Sequence, residues 1–203
     1  MNVAFFIYRR PELTARVFAE IRKARPERLL IVADGPKNDE ERPKCAATRA
    51  VVENVDWPCE VLKNYADVNL GCRKCVSSGL GWVFAHVEEA IILEDDCLPH
   101  PSFFRYCAEL LDRYRNDERV MHISGDYFMK RLHPTPFSYY FSRCPYIWGW
   151  ATWRRAWRHY DVEMRLWPQF RDSGLMANLW QSKDQQRHWT AVCDLAHSGE
   201  VDT

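Results

Sequence analysis

The sequence has 203 residues, with 28 Lys plus Arg balanced by 28 Asp plus Glu, and 47% of it is hydrophobic. That length can bury a substantial core and points to one domain, while the charge balance excludes a global basic field for nucleic acid. No apolar run approaches the roughly 20 residues of a membrane span. The opening ten residues are too short for a signal peptide and read as a strand, so a cytoplasmic protein without a membrane span is expected.

The predicted elements alternate strand and helix. Val3 to Tyr8 is an apolar strand, and Pro11 suits the first position of a helix that carries Leu13, Val17, Ile21 and Ala24 on one face. Arg9 and Arg10 therefore fall at the first strand-to-helix turn. Arg28 to Ala33 is a second strand, and Asp34-Gly35-Pro36 is a turn that leaves Asp34 at its carboxyl end. A helix after Pro43 turns Thr48, Val52 and Val55 inward. Glu60 to Tyr65 is a third strand, broken by Asn69-Leu70-Gly71, and the next helix carries Val76, Leu80, Val83, Phe84 and Val87.

Ala90 to Leu93 is a short apolar run rich in β-branched residues, the mark of a strand buried on both faces of a parallel sheet. Glu94, Asp95 and Asp96 follow it, at the carboxyl end where open α/β sheets bind ligands. Three adjacent carboxylates repel one another unless a cation sits among them, and Mg²⁺ or Mn²⁺ prefers such oxygen ligands; a solvated acidic turn is the alternative. A helix with Phe103, Cys107, Leu110, Leu111 and Tyr114 inward comes next, then a strand from Arg119 to Ser124. Such alternation predicts an α/β fold, a Rossmann-like, mostly parallel sheet with helices on both faces. Neither Gly-x-Gly-x-x-Gly nor a P-loop motif is present, so phosphate needs another counter-charge, such as Arg10.

Residues 126 to 138, with Lys130, Arg131, His133, Pro134 and Pro136, lack periodicity and read as an excursion or a loop over the site. Ser138 to Ser142 reads as an aromatic strand. Seven of the nine tryptophans lie from Trp148 onward. Thr152 is placed to cap a helix through Trp157 and Tyr160. The tryptophans either stack on sugar faces or pack the last helices onto the sheet, and packing is the expectation for Trp153 and Trp157. Ser182 to Gln185 forms a capping-box start and Gly199 a stop for a final helix. The eight cysteines are irregularly spaced and read as reduced thiols; Cys72-x-x-Cys75 has no second pair to complete a zinc site.

Five stretches, taken in order, resemble the GT-A glycosyltransferases: Phe5 to Thr14, Ile31 to Pro36, Asn69 to Gly79, Ile92 to Pro99 and Trp148 to Trp153. More narrowly they resemble the bacterial hemolytic-protein-like glycosyltransferases, and distantly the animal N-acetylglucosaminyltransferase I type. The resemblance covers the chain from Asn2 to about Pro168. It implies a metal-dependent, inverting hexosyl- or N-acetylhexosaminyltransferase with Mn²⁺ or Mg²⁺ as cofactor. The partners it implies are a nucleoside-diphosphate sugar, first of all a UDP-sugar, and a glycan or other hydroxyl acceptor. Asp96 matches the metal ligand and Asp95 the acid on the donor ribose, with Glu94 beside them. Asp34 matches the acid that bonds the base, Arg10 an arginine near ribose and diphosphate, and Asn69 and Gly71 the turn lining the donor pocket. Arg9 departs from the Asn or Asp usual at its position. Trp148, Gly149 and Trp150 match the acceptor side.

The resemblance divides the chain into a nucleotide-sugar and metal-binding half, residues 1–125, and an acceptor-side half, 126–203. The family's proposed catalytic base sits beside a tryptophan downstream of Trp148 to Trp150, and the tail offers only Asp202. The expectation is a chain truncated before that base. Two other readings stand beside this one: a sugar-nucleotide nucleotidyltransferase, which would show a glycine-rich loop after the first strand, and a non-catalytic carbohydrate-binding module.

Overall fold

A computed structural model describes residues 1–127 and 136–202; Lys130, Arg131, His133 and Pro134 lie outside the described residues. Six strands form one sheet: β1 (Asn2–Ile7), β2 (Arg28–Ala33), β3 (Glu60–Tyr65), β4 (Glu89–Glu94), β5 (Ile123–Ser124) and β6 (Trp150–Trp153), in the order β3-β2-β1-β4-β6-β5. The first four are parallel, with Phe5 level with Ile31 and with Leu93. β6 runs antiparallel to β4, Ile91 opposite Ala151, and β5 antiparallel to β6. The expected α/β architecture, a mostly parallel sheet with helices on both faces, is the one observed.

Alternate residues of β1, β2 and β4 feed two cores, as the period of a strand demands. Val3, Phe5, Leu29, Ile31, Ile91 and Leu93 pack against α1 (Pro11–Ala24) and α4 (Ser102–Arg113). Val52, the residue after α2 (Arg42–Val51), joins the same core. Ala4, Phe6, Leu30, Val32, Ala90 and Ile92 pack against α3 (Cys72–His86) on the other face. Strands covered on both sides must be apolar throughout, and β4 is buried from Ala90 to Leu93. Pro11 opens α1 as expected, but Thr14 and Phe18 face inward with Val17 and Ile21.

Four expectations change in the second half. Only Ile123–Ser124 of the strand expected over Arg119 to Ser124 forms, because Arg119 folds onto Asp117 and Val120 bonds back to the Asp117 carbonyl. Ser138 to Ser142 is not a strand; its aromatic rings engage one another and Tyr114 instead. Thr152 caps no helix, since it is buried inside β6 and its hydroxyl donates to the Met121 carbonyl at 2.7 Å. The short helix α5 (Arg154–Trp157) starts after Trp153 instead. The chain then continues through α6 (Trp167–Asp172), α7 (Met176–Leu179) and α8 (Lys183–Ser198). Ser182 stands at the N-cap of α8 without a side-chain cap bond, whereas Gly199 ends it in the left-handed conformation, as expected.

Packing is what Trp153 and Trp157 do. Trp153 is buried and donates its indole N–H to the Leu111 carbonyl, and Trp157 leans on Phe84 of α3. Arg155 locks this junction. Its guanidinium lies 4.3 Å from the Trp153 ring centroid and donates to the Tyr114, Arg115 and Val120 carbonyls, the first just past the end of α4. Among the described residues no helix is long and apolar enough to cross a membrane. Arg155→Lys keeps the charge but loses the planar fork, so it is expected to lower stability by about 1–3 kcal/mol. A urea midpoint equal to wild type would contradict this role.

Candidate functional site

The carboxyl ends of β1, β2, β3 and β4 share one edge of the sheet, and the chain reverses direction of travel between β1 and β4. Ligands of open α/β sheets bind at such a point. Here the turn Glu94 to Cys97, closed by the Cys97 amide on the Glu94 carbonyl at 3.0 Å, sends neighbouring acids in different directions. Asp95 points inward and is 2% exposed, accepting the Tyr8 amide at 3.2 Å and the Arg10 guanidinium. Asp96 points outward with its side chain 40% exposed, and accepts the other nitrogen of Arg10 at 3.0 Å. One arginine at the end of β1 thus bridges two acids at the end of β4.

Burial pushes the Asp95 carboxyl above its ordinary range, and this outweighs the pull of Arg10 and the Tyr8 amide. Glu94 is half-buried at the strand end, raised by burial and then by the charges of Asp96 and Asp95. Among the described residues no three His, Cys, Asp or Glu side chains converge as a metal cage. Asp96 is the most exposed of the three carboxylates and the one that could hold a hard divalent cation.

A second cluster sits over β2 and β3. Asp34 is 6% exposed and accepts the Gly35 and Leu70 amides, each at 2.8 Å, and the Asn69 side-chain amide at 2.8 Å. Asn69 also donates to the Gly35 carbonyl. This brings the loop after β3 onto the loop after β2 so tightly that a Cβ on Gly35 would overlap the Val68 backbone. Asp34 is therefore a turn former and, through Asn69, a brace between two strand ends. Arg49 of α2 supports the same junction, donating to the Asp34 and Ala66 carbonyls and lying 4.9 Å from the Tyr65 ring centroid.

Gly71, at φ +80°, releases the chain into α3. The first amides of α3, on Cys72 and Arg73, donate to the two carboxylate oxygens of Asp202 at 2.9 and 3.0 Å. A Cβ on Gly71 would stand 2.7 Å from that carboxylate. Asp202 thus occupies the N-terminus of α3, and Arg73 fastens the same region by donating to the Val162 and Ala196 carbonyls. Cys72 is exposed, yet its thiol is raised by partial desolvation and by the charges of Glu94, Asp202 and Asp34, so the start of α3 lies between the two acid clusters. The helix terminus alone would lower that thiol; desolvation and the three carboxylates prevail. Cys75 is buried and pushed up to about 12, and all eight cysteines are free.

Trp148, Gly149 and Trp150 are not brought together as one aromatic wall. Trp148 is 66% exposed, while Trp150 enters β6 and stacks on His122 at 4.8 Å. Gly149 turns between them at φ +73° and accepts the Gly125 amide.

Sequence reasoning missed Glu41. This buried acid accepts the Tyr8 hydroxyl, the Arg9 guanidinium and the Lys37 amide, and it gives Arg9 its partner. The Tyr8 bond first, then the Lys37 amide, hold the Glu41 carboxyl below its ordinary range. The signal for it was the pair of arginines at a strand end, which needed acids from more than one neighbour. Asp126 was missed as well: its carboxylate accepts the Trp148 amide at 3.3 Å.

No family model matches the sequence, and no curated protein does. Among solved structures, the galactosyltransferase LgtC, determined in complex with donor and acceptor sugar analogues, is similar at 16% identity over 92% of this chain and 68% of that one, with a TM-score of 0.46. A likeness at that level carries no functional argument.

Two outcomes follow from this geometry. Gly35→Ala is expected to destabilise by about 1–3 kcal/mol, because backbone must move to admit the methyl, and to speed hydrogen exchange of the Leu70 amide; unchanged protection there would refute the brace. Alkylation with iodoacetamide at pH 8 is expected to spare Cys75 in the folded protein, since its thiol stays protonated below about 12. Rapid labelling of Cys75 would contradict its burial and raised thiol.

Proposed function

We propose that the chain is a glycosyltransferase of the GT-A type that takes its sugar from a nucleoside diphosphate, a UDP-sugar first of all. The observation that carries this reading is the Arg10 bridge to Asp95 and Asp96 at the sheet's switch point, a cation and an exposed acid side by side where a diphosphate would lie. The order of the five sequence stretches supports it. The Asp34 and Asn69 brace, one strand further along, is the candidate base side of the donor pocket.

In this reading Asp96 would hold Mg²⁺ or Mn²⁺, and that ion would offset the charge of the departing diphosphate. Arg10 adds a second, fixed positive charge at the same place. Asp95 is a positioning residue, keeping Arg10 and the end of β1 in register with β4. Glu94, half-buried with no hydrogen-bond partner for its carboxylate among the described residues, is available to a donor hydroxyl. An acceptor hydroxyl would form its new bond to the anomeric carbon as the bond to the diphosphate breaks, its proton passing to a carboxylate; a single displacement inverts the centre. Asp202, held by two amides of α3, caps that helix in this structure. Hexosyl and N-acetylhexosaminyl donors both fit this scheme.

Calorimetry of nucleoside diphosphates with and without Mn²⁺ tests the proposal. At least one diphosphate is expected to bind in Mn²⁺. Asp96→Asn or chelation is each expected to weaken that binding by about 10- to 100-fold, as loss of a charged contact does, with little added effect when combined. Binding that ignores both treatments, or binding of none of the diphosphates, would overturn it.

A further inference from the structure

On the side of β4 away from Asp34, a cavity of about 670 Å³ opens at Leu98, Pro99 and His100, immediately after the acid turn. That volume is in the range of small-molecule sites. It lies over β5 and the segment before β6, the antiparallel part of the sheet. Its walls are tyrosine-rich, with Tyr106, Tyr139, Tyr140 and Tyr146 among them and Trp148 at the rim. Such rings offer apolar faces to C–H groups and hydroxyls to polar ones. Among the described lining residues Asp126 is the one carboxylate.

Asp126 is partly buried, and its carboxylate accepts the Trp148 amide, with the Ser124 hydroxyl beside it. An ionised carboxylate has about four lone-pair positions, so capacity remains for hydroxyl donors. A purely apolar ligand would leave that charge buried and without a new partner, at a cost. A polyhydroxylated ring meets both requirements, stacking on tyrosine and donating to the acid. The nucleotide side, at Asp34 and Asn69, lies across β1 and β4 from this cavity.

We propose that this cavity binds a saccharide ring of the acceptor, with Asp126 as the acceptor of its hydroxyl hydrogen bonds and the tyrosines as its stacking walls. The assignment of acceptor over donor rests on the glycosyl-transfer reading; the carbohydrate site itself stands on the cavity alone. Asp126 is a positioning residue for the ring.

Saturation-transfer NMR with a panel of methyl hexosides and methyl N-acetylhexosaminides, on the 203-residue chain with and without UDP and Mn²⁺, tests it. At least one glycoside is expected to bind, and Asp126→Asn to weaken it about tenfold or more, while Glu60→Gln, on the opposite edge strand β3, leaves it unchanged. Tyr140→Ala, at an exposed rim position, is expected to weaken the glycoside too and carries the test should Asp126→Asn not fold. Glycoside binding without nucleotide binding would leave the site standing and remove the transfer reading. Displacement of the glycoside by a UDP-hexose but not by UDP would overturn the acceptor assignment. Absence of glycoside binding, or binding indifferent to both cavity variants, would overturn the site.

Discussion

A buried carboxylate at the end of the central strands governs the architecture of this edge. Asp95 is almost wholly withdrawn from water, and such a charge persists only if it is paired and hydrogen-bonded. Its partners are the Tyr8 amide and Arg10, both from the end of β1. Meeting that requirement fixes how β1 leaves the sheet, where α1 begins and where Asp96 is exposed. The cation that neutralises Asp95 is the same one that reaches Asp96, so structural and chemical roles share one side chain.

Around it, each strand end is tied to the next by polar side chains acting on backbone. Glu41 holds Tyr8, Arg9 and the Lys37 amide, joining β1 to the loop before α2. Asp34 and Arg49 join the loops after β2 and β3. These loops are irregular, and their amides and carbonyls cannot be left buried and unpaired. The result is a rigid rim over flexible sequence types, which is what positions functional groups at a sheet edge.

The second half of the chain uses a different principle. β6 enters antiparallel beside β4 and carries Trp153 into the core, and Arg155 then closes the end of α4 by donating to carbonyls at and beyond it. Further on, Asp202 places a negative charge on the first amides of α3, where the helix dipole favours it. The aromatic residues divide between these packing duties and the cavity wall beyond β5, so richness in tryptophan and tyrosine has two separate causes here.

The sequence by itself determined the parallel half. Strands β1, β2 and β4 and helices α1 to α4 were legible because burial on both faces forces continuous apolar runs, and helices covering them must repeat every three to four residues; β3, a half-exposed edge strand, was legible from its place in the alternation of strand and helix. The acids and Arg10 were legible as strand-end residues for the same reason. Only the tertiary structure decided which strand end each one meets. That Asp95 turns in while Asp96 turns out, that Glu41 answers Arg9, and that Asp34 accepts from Asn69 and Leu70 depend on contacts between residues about 30 to 90 apart in the chain. Thr152 and the aromatic run from Ser138 to Ser142 misled for a related reason: strand, cap and cavity wall accept the same residue types locally, and so short a strand gains its identity from its partners. In β6 those partners are β4 and β5, and no local pattern in Trp150 to Trp153 announces them.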